Sequence, residues 1–192
     1  MRECRAMLSE MPCEITDLAE QGLDTEVEES GQTFEENASL KARYWADRTG
    51  LLTLADDSGL EVDALAGAPG VLSARYAGEE ATDEERNALL LQRLAGVPAA
   101  RRTARFRCVI ALAEPHGRLE LCEGVCEGLI ASEPKGSHGF GYDPVFFLPG
   151  FGKTMAELAP EEKNRISHRS RAIAKAKELL EHWPTAQGCN SG

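Results

Sequence analysis

Nowhere in the 192 residues do apolar positions run for the roughly 18 that a membrane span requires. The opening stretch Met1-Arg2-Glu3-Cys4-Arg5 has no apolar core of an export signal, so a cytoplasmic address and no membrane partner are expected. Positive charge is scarce: 21 Lys and Arg stand against 32 Asp and Glu, a formal net charge of -11. That deficit argues against a DNA- or RNA-binding surface, which rests on many cationic contacts to phosphate. A small polyanion is still compatible with it. An acidic protein that binds a triphosphate needs a divalent metal to bridge carboxylates to phosphates, with a few local cations helping. The six cysteines, Cys4, Cys13, Cys108, Cys122, Cys126 and Cys189, include no C-x-x-C pair of a zinc site. Cys108 falls in an apolar alternation and reads as core. Cys122 and Cys126, four apart on an expected strand, share a face, where packing is the plain reading and a disulfide or metal the sharper one. Internal repeats and low-complexity linkers are absent too, and only the end after Pro184 looks loose. One domain over residues 1–183, or two lobes sharing a cleft, followed by a flexible tail over 184–192, is expected.

What is present is a chain with 42% hydrophobic residues, long enough to bury a sizeable core. Thr33-Phe34-Glu35-Glu36 reads as a capping box that opens a helix stopping near Gly50, and Thr82-Asp83-Glu84-Glu85 repeats the device for a helix ending at Gly96. Leu51 to Ala55 reads as a short buried strand between Gly50 and Asp56-Asp57-Ser58-Gly59. Ala104, Phe106, Cys108, Ile110 and Leu112 alternate, turn at Pro115-His116-Gly117 and resume at Leu119, which predicts a hairpin. Another strand is expected over Val145 to Leu148. A final helix follows the N-cap Ser167 and runs to about Trp183. Strands mixed with helices imply an α/β fold.

Three places break the pattern. Lys41 projects within the helical stripe Phe34, Ala38, Ala42 and Trp45, where its stem either snorkels to water or its ammonium meets an anion. Asp56 and Asp57 follow a strand, at the end where open α/β sheets place ligands. Adjacent carboxylates there point opposite ways, so one can reach a metal while the other orients a water or a lysine, with Gly59 allowing a sharp turn; an ordinary Asp-Ser-Gly turn is the bland alternative. Ser167-His168-Arg169 puts two potential cations in a helix's first turn, against the preference for negative charge, so some acceptor must compensate unless this is a solvated helix start. His116 and His182 read as surface residues.

Phe140-Gly141-Tyr142-Asp143-Pro144 adds aromatics and a carboxylate to a glycine-rich loop after Gly136 and Gly139. That combination suits stacking a base and accepting its N–H, or a packed β-turn. The acidic stretch Glu26, Glu28 and Glu29 is a solvated face or a source of a metal ligand.

Taken in order, Thr33-Phe34-x-Glu36-Asn37-Ala38-x-x-Lys41-Ala42, Ala55-Asp56-Asp57-Ser58-Gly59-Leu60, Gly67-Ala68-Pro69-Gly70 with Ser73-Ala74-Arg75-Tyr76, Phe140-Gly141-Tyr142-Asp143-Pro144 and Ser167-His168-Arg169 form a series. It resembles the non-canonical purine triphosphate pyrophosphatases, the RdgB-like inosine triphosphatase family, over nearly the whole chain to about residue 183. The resemblance implies an elongated, mixed-sheet α/β fold of two lobes with a central cleft, usually a homodimer. It also implies hydrolysis of ITP, dITP and XTP to the monophosphate and pyrophosphate with Mg2+, which cleanses the nucleotide pool. On the matching positions, Asp57 would be general base and metal ligand, Asp56 its support and Glu29 the second metal ligand, with Glu28 adjacent. Lys41 would neutralise the triphosphate, Ser58 would contact substrate and Lys163 would line the nucleotide site. Phe140 would stack on the base, Gly141, Tyr142 and Asp143 would shape its pocket, and His168 and Arg169 would read the six-position oxygen.

The sequence departs from the family pattern at its start. Members open with a buried strand and a Thr/Ser-Gly-Asn-x-x-Lys phosphate loop, and Met1-Arg2-Glu3 stands just past where that lysine would fall. Either the true start lies upstream or the product is truncated, and the chain as written is expected to be poorly stable and much less active. The alternatives are a binding or dimer-forming protein without turnover, and a pyrophosphatase for modified pyrimidine triphosphates, against which Ser167-His168-Arg169 speaks.

Overall fold

The computed structural model describes Arg5, residues 7–9, residues 11–25 and residues 27–184. Cys4, Cys189, Glu26 and the expected tail beyond Pro184 lie outside the described residues. Helix α1 (Phe34–Thr49) has the predicted ends: Thr33 Oγ1 accepts from the Glu36 N–H, and Gly50, at φ 71°, returns its N–H to the Ala46 carbonyl. Its apolar stripe Phe34, Ala38, Ala42 and Trp45 is buried, together with Asn37. Helix α2 (Asp83–Arg93) carries both halves of the Thr82–Glu85 capping box. It stops short of Gly96.

Five strands follow the order β1 (Thr53–Val62), β2 (Thr103–Ala113), β3 (Leu119–Ile130), β4 (Phe146–Leu148) and β5 (Lys153–Thr154). Each pairs with its neighbour in sequence and each pairing is antiparallel. The α/β class is borne out, while the described strands are uniformly antiparallel rather than mixed, because sequential neighbours need no crossover. The β2–β3 hairpin turns where Pro115-His116-Gly117 places it. Two more helices, α3 (Pro160–Ile166) and α4 (His168–Glu181), close the chain, with Ser167 Oγ accepting from the Ser170 N–H at the start of α4. None of the described helices is long and apolar enough to cross a membrane.

One strand differs in its bounds from expectation. Of the apolar run at 51–55, Leu51 and Leu52 are exposed and outside the strand, residues 53–55 open β1, and β1 runs on to Val62. Asp56, Asp57 and Ser58 therefore lie inside a strand, not beyond its end. Aspartate is a poor strand former, but each of these side chains finds a partner on a neighbouring helix, and that tertiary gain overrides propensity. Gly59 makes no sharp turn either. A Cβ there would stand 2.5 Å from the Gly70 carbonyl and 3.0 Å from the Phe34 ring, so glycine lets β1 pass between those two segments.

Both faces of the sheet are covered at one end, which is why Cys108 through Ala113 are all buried. On one face Val109, Ala111 and Ala113 pack against Phe34, Ala38, Ala42 and Ala46 of α1. On the other, Cys108, Ile110 and Leu112 pack against Ala172, Ile173 and Ala176 of α4, with Leu8. Further along that second face, Leu60, Val62, Ala104 and Phe106 join Leu90, Tyr142, Phe146 and Met155 in a separate cluster. The start of α4 sits at the seam between these two clusters. Cys122 and Cys126 are free thiols, Cys126 buried in the core and Cys122 donating to the Ala172 carbonyl, so packing is their role.

Candidate active site

Residues paired across an antiparallel ladder share a face. Asp57 pairs with Val109 and so faces α1, whereas Asp56 and Ser58 pair with Ile110 and Cys108 and face α4. The opposite aim of the two aspartates, expected from their adjacency, is the organising feature of the site.

On the α1 face, Lys41 and Asn37 lie one turn apart and both reach Asp57. Asn37 Nδ2 donates to Asp57 Oδ2 at 3.1 Å, and Lys41 Nζ stands 3.5 Å from Asp57 Oδ1 and 2.6 Å from Glu29 Oε1. Lys41 thus meets anions rather than snorkelling to water. Of the acidic stretch, Glu29 is the residue brought in, Glu28 is exposed and Glu26 lies outside the described residues. Burial pushes the Asp57 carboxyl above its ordinary range against the pull of Lys41 and Asn37, and the Glu29 charge adds to the push. Two carboxylates converging on one cationic point are hard oxygen donors of the kind that hold Mg2+. No third Asp, Glu, His or Cys joins them among the described residues.

On the α4 face, Arg169 Nη2 lies 3.3 Å from Asp56 Oδ2 and donates to Ser58 Oγ at 3.1 Å. Asp56 is the acceptor that compensates a cation in the first turn of α4. His168 needs no such partner, because it is not a cation. It stacks half-buried on Phe106, and desolvation first, then the charges of Arg169 and Lys163, lower its pKa to about 3. Its Nδ1 has no hydrogen-bond partner among the described residues.

Beside it a cavity of about 260 Å³ is lined by Ser58, Phe106, Phe140, Lys163, His168 and Arg169, among others. Phe140 is 60% exposed, and its ring faces Lys163 Nζ at 4.6 Å and the Arg169 guanidinium at 5.9 Å. Its loop neighbours turn inward. The Tyr142 hydroxyl donates to the Ser73 carbonyl at 2.9 Å, and burial raises its pKa. Asp143 is buried, paired with Lys163 and accepting from the Phe140 N–H, so its carboxylate is already occupied. Burial raises its pKa against the pull of Lys163. Gly139 admits this arrangement, since a Cβ there would collide with Asp143 Oδ2 and come within 3.1 Å of Lys163 Nζ. His116 and His182 are exposed, as expected.

The structure adds residues to which the sequence assigned no role. Asn37 is legible in hindsight, one helical turn before Lys41. Phe106 reads as one more alternating core residue, and Asp83, Arg86 and Ala74, which also line the cavity, are disguised as parts of a capping box and a turn.

The chain is similar to known proteins both in sequence and in overall fold. The model of the Ham1 family matches residues 1–179. The chain is 55% identical over 180 residues to a dITP/XTP pyrophosphatase of Desulforamulus reducens, covering 94% of this chain and 90% of the relative. It is 51% identical to the enzyme of that name from Geobacillus kaustophilus, covering 98% and 91%. Among solved structures, a HAM1 protein from Coxiella burnetii superposes with a TM-score of 0.89 at 46% identity, covering 94% of this chain and 92% of that one. The Ham1 protein of Staphylococcus aureus superposes with a TM-score of 0.88 at 41% identity, covering 96% and 94%. From the five ordered motifs to the fold they build, the chain belongs to the Ham1 family.

Proposed function

We propose that this protein hydrolyses non-canonical purine nucleoside triphosphates, dITP, ITP and XTP, to the monophosphate and pyrophosphate. The observation that carries the proposal is the division of β1 into two chemically different faces within three residues. Glu29, Lys41 and Asp57 gather charge on one side, and Arg169 with Asp56 and Ser58 opens onto a base-sized cavity on the other. At about 260 Å³ that cavity falls below the roughly 300–1,000 Å³ that holds whole drug-sized ligands, so it suits a base with its sugar and phosphates outside. The dITP/XTP pyrophosphatase name of relatives at 55% and 51% identity supports dITP and XTP among these substrates.

Phe140 supplies an aromatic plate for the base, with Lys163 beneath its ring, while Gly141, Tyr142 and Asp143 hold that plate's backbone. His168 and Arg169 present donors to the six-position oxygen of hypoxanthine or xanthine. A neutral imidazole discriminates by hydrogen bonding rather than by charge. Facing adenine's amino group, a donor is left unpaired at a cost of about 1–3 kcal/mol. Ser58, on the same face as Arg169, contacts the nucleotide near β1.

On the opposite face Lys41 neutralises phosphate charge. Glu29 and Asp57 would hold a magnesium ion, which would supply Lewis-acid stabilisation of the phosphate oxygens when bound. Asp57, its basicity strengthened by burial and its orientation set by Asn37, accepts a proton from the water that attacks the α-phosphorus, and pyrophosphate departs. Asp56 holds Arg169 in place. A homodimer acting in the cytoplasm completes the proposal.

The test is pyrophosphate release with magnesium from dITP and XTP against dATP and dGTP. Preferential release from the first pair supports the assignment. Tight binding of dITP without release sinks it and leaves a nucleotide-binding protein.

A further inference from the structure

We propose that Asp83 and Asn87, at the start of α2, are positioning residues that hold the Phe140 loop over the base cavity by gripping Gly141 at both ends of its backbone, a role resting on the function proposed above. Asp83 Oδ2 accepts from the Gly141 N–H at 2.6 Å, and Asn87 Nδ2 donates to the Gly141 carbonyl at 2.9 Å. Four residues apart on a helix, the two side chains stand on one face, one above the other, as a two-point clasp requires.

Gly141 has φ 62°, in the left-handed region, and a Cβ added to it would meet nothing within 4 Å. The glycine serves the backbone shape, and that shape offers both polar groups to α2. The other hydrogen bonds made by the main chain of residues 140–143 are local. Phe140 N–H donates to Asp143 Oδ2 at 3.0 Å, and Asp143 N–H to the Phe140 carbonyl at 3.3 Å. Such bonds curl the loop on itself but do not place it relative to the sheet; Tyr142 and Asp143 tie their side chains to Ser73 and Lys163, and the bonds to Asp83 and Asn87, spanning 58 and 54 positions, tie down the backbone next to Phe140. Because the Phe140 ring is 60% exposed, core packing does not aim it; its neighbour's backbone does.

The anchor is itself braced. Arg86, which also pairs with Asp83, donates to the Ala74 carbonyl at 2.9 Å and the Ala81 carbonyl at 2.5 Å, tying the first turn of α2 to the opposite wall of the cavity. Burial disfavours the Asp83 charge, but the Gly141 N–H and the Arg86 guanidinium outweigh it and hold its carboxyl below the usual range. Asn87 is buried and its Oδ1 has no partner among the described residues, so there only its donor half is used. A residue present to fill core space would be apolar; a buried amide that satisfies one end alone points to the contact it makes.

Two readouts on the full chain test the clasp with Asp83→Ala, Asn87→Ala and the conservative Asp83→Asn, which keeps an acceptor for the Gly141 N–H. Amide hydrogen exchange of the free protein needs no turnover: both alanine variants should exchange about tenfold faster over residues 138–143 with the β1–β3 peptides unchanged. In steady-state hydrolysis of dITP, KM should rise about tenfold with kcat within about twofold, because aiming a stacking ring changes binding rather than chemistry. Asp83→Asn should recover most of the KM, and Asp83→Ala should add little in a Phe140→Ala background. Unchanged loop exchange overturns the clasp, and so does faster exchange across the whole sheet, which marks a merely structural residue. Faster loop exchange with unchanged KM overturns its link to the ligand. Wild type that does not hydrolyse dITP, with loop exchange rising as expected, removes the assigned function and supports the clasp.

Discussion

His168 lies flat against Phe106, with ring centroids 4.8 Å apart and planes within 17° of each other. A phenyl ring cannot replace the water that an imidazolium needs, so burial, helped by Arg169 and Lys163, depresses the His168 pKa to about 3. The unfolded chain, with an ordinary histidine near 6.5, takes up the proton first as pH falls. Stability is therefore full above about 6.5 and drains away toward about 3, at up to about 1.4 kcal/mol per pH unit. Urea unfolding at pH 7 and pH 5 should show wild type losing about 2 kcal/mol more than His168→Gln. Equal losses would mean that the imidazole is not held neutral by its surroundings.

Gly124 on β3 is where α4 comes closest to the sheet. A Cβ there would collide with the His168 carbonyl and the Ala172 amide and stand 2.9 Å from Arg171 Cβ. Gly124→Ala should cost about 1–3 kcal/mol by overpacking, a Tm drop of roughly 2–12 °C for a chain of this size. It should also raise KM for dITP, because the helix start that carries His168 and Arg169 is pushed away. A variant with wild-type Tm and KM would show that α4 yields without cost.

Lys41 bridges Glu29 and Asp57. Lys41→Met should reduce pyrophosphate release about 10²-fold or more, the usual effect of losing one group that stabilises developing charge. Lys41 also lowers the Asp57 pKa, so its removal should move the acid limb of the pH–rate profile to higher pH. A profile that shifts down, or not at all, would remove Asp57 as the group titrating there.

Phe140, being exposed, is dispensable for folding. Phe140→Ala should leave Tm unchanged and raise KM by roughly tenfold or more, since stacking on a base contributes about 1–3 kcal/mol. A fallen Tm would reassign the ring to the core.

Much of the fold is legible in the sequence wherever a local rule decides it. Thr33 and Gly50 mark the ends of α1, Thr82 opens α2, and Ser167 caps α4, because each cap is settled by a side chain within a turn of its own backbone. The β2–β3 hairpin follows from strict alternation. The reading fails at β1, where an apolar run at 51–55 outweighed two aspartates that belong to the strand. It is incomplete at His168, a potential cation in sequence, because nothing there reveals Phe106 beneath it.

By itself, the sequence determined the helix ends, the apolar stripes, the hairpin and the chemistry available: which carboxylates, cations and aromatic rings the chain owns. These are consequences of periodicities of 3.6 and 2 residues and of bonds made within a few positions. Only the tertiary structure decided that Asp56 serves Arg169 while Asp57 serves Lys41, that Glu29 rather than Glu28 enters the site, that His168 is neutral, and that Asp83 and Asn87 hold Gly141. Those outcomes depend on which distant groups share a face of one strand and how deeply each is buried. Both are set by packing between segments up to 113 positions apart.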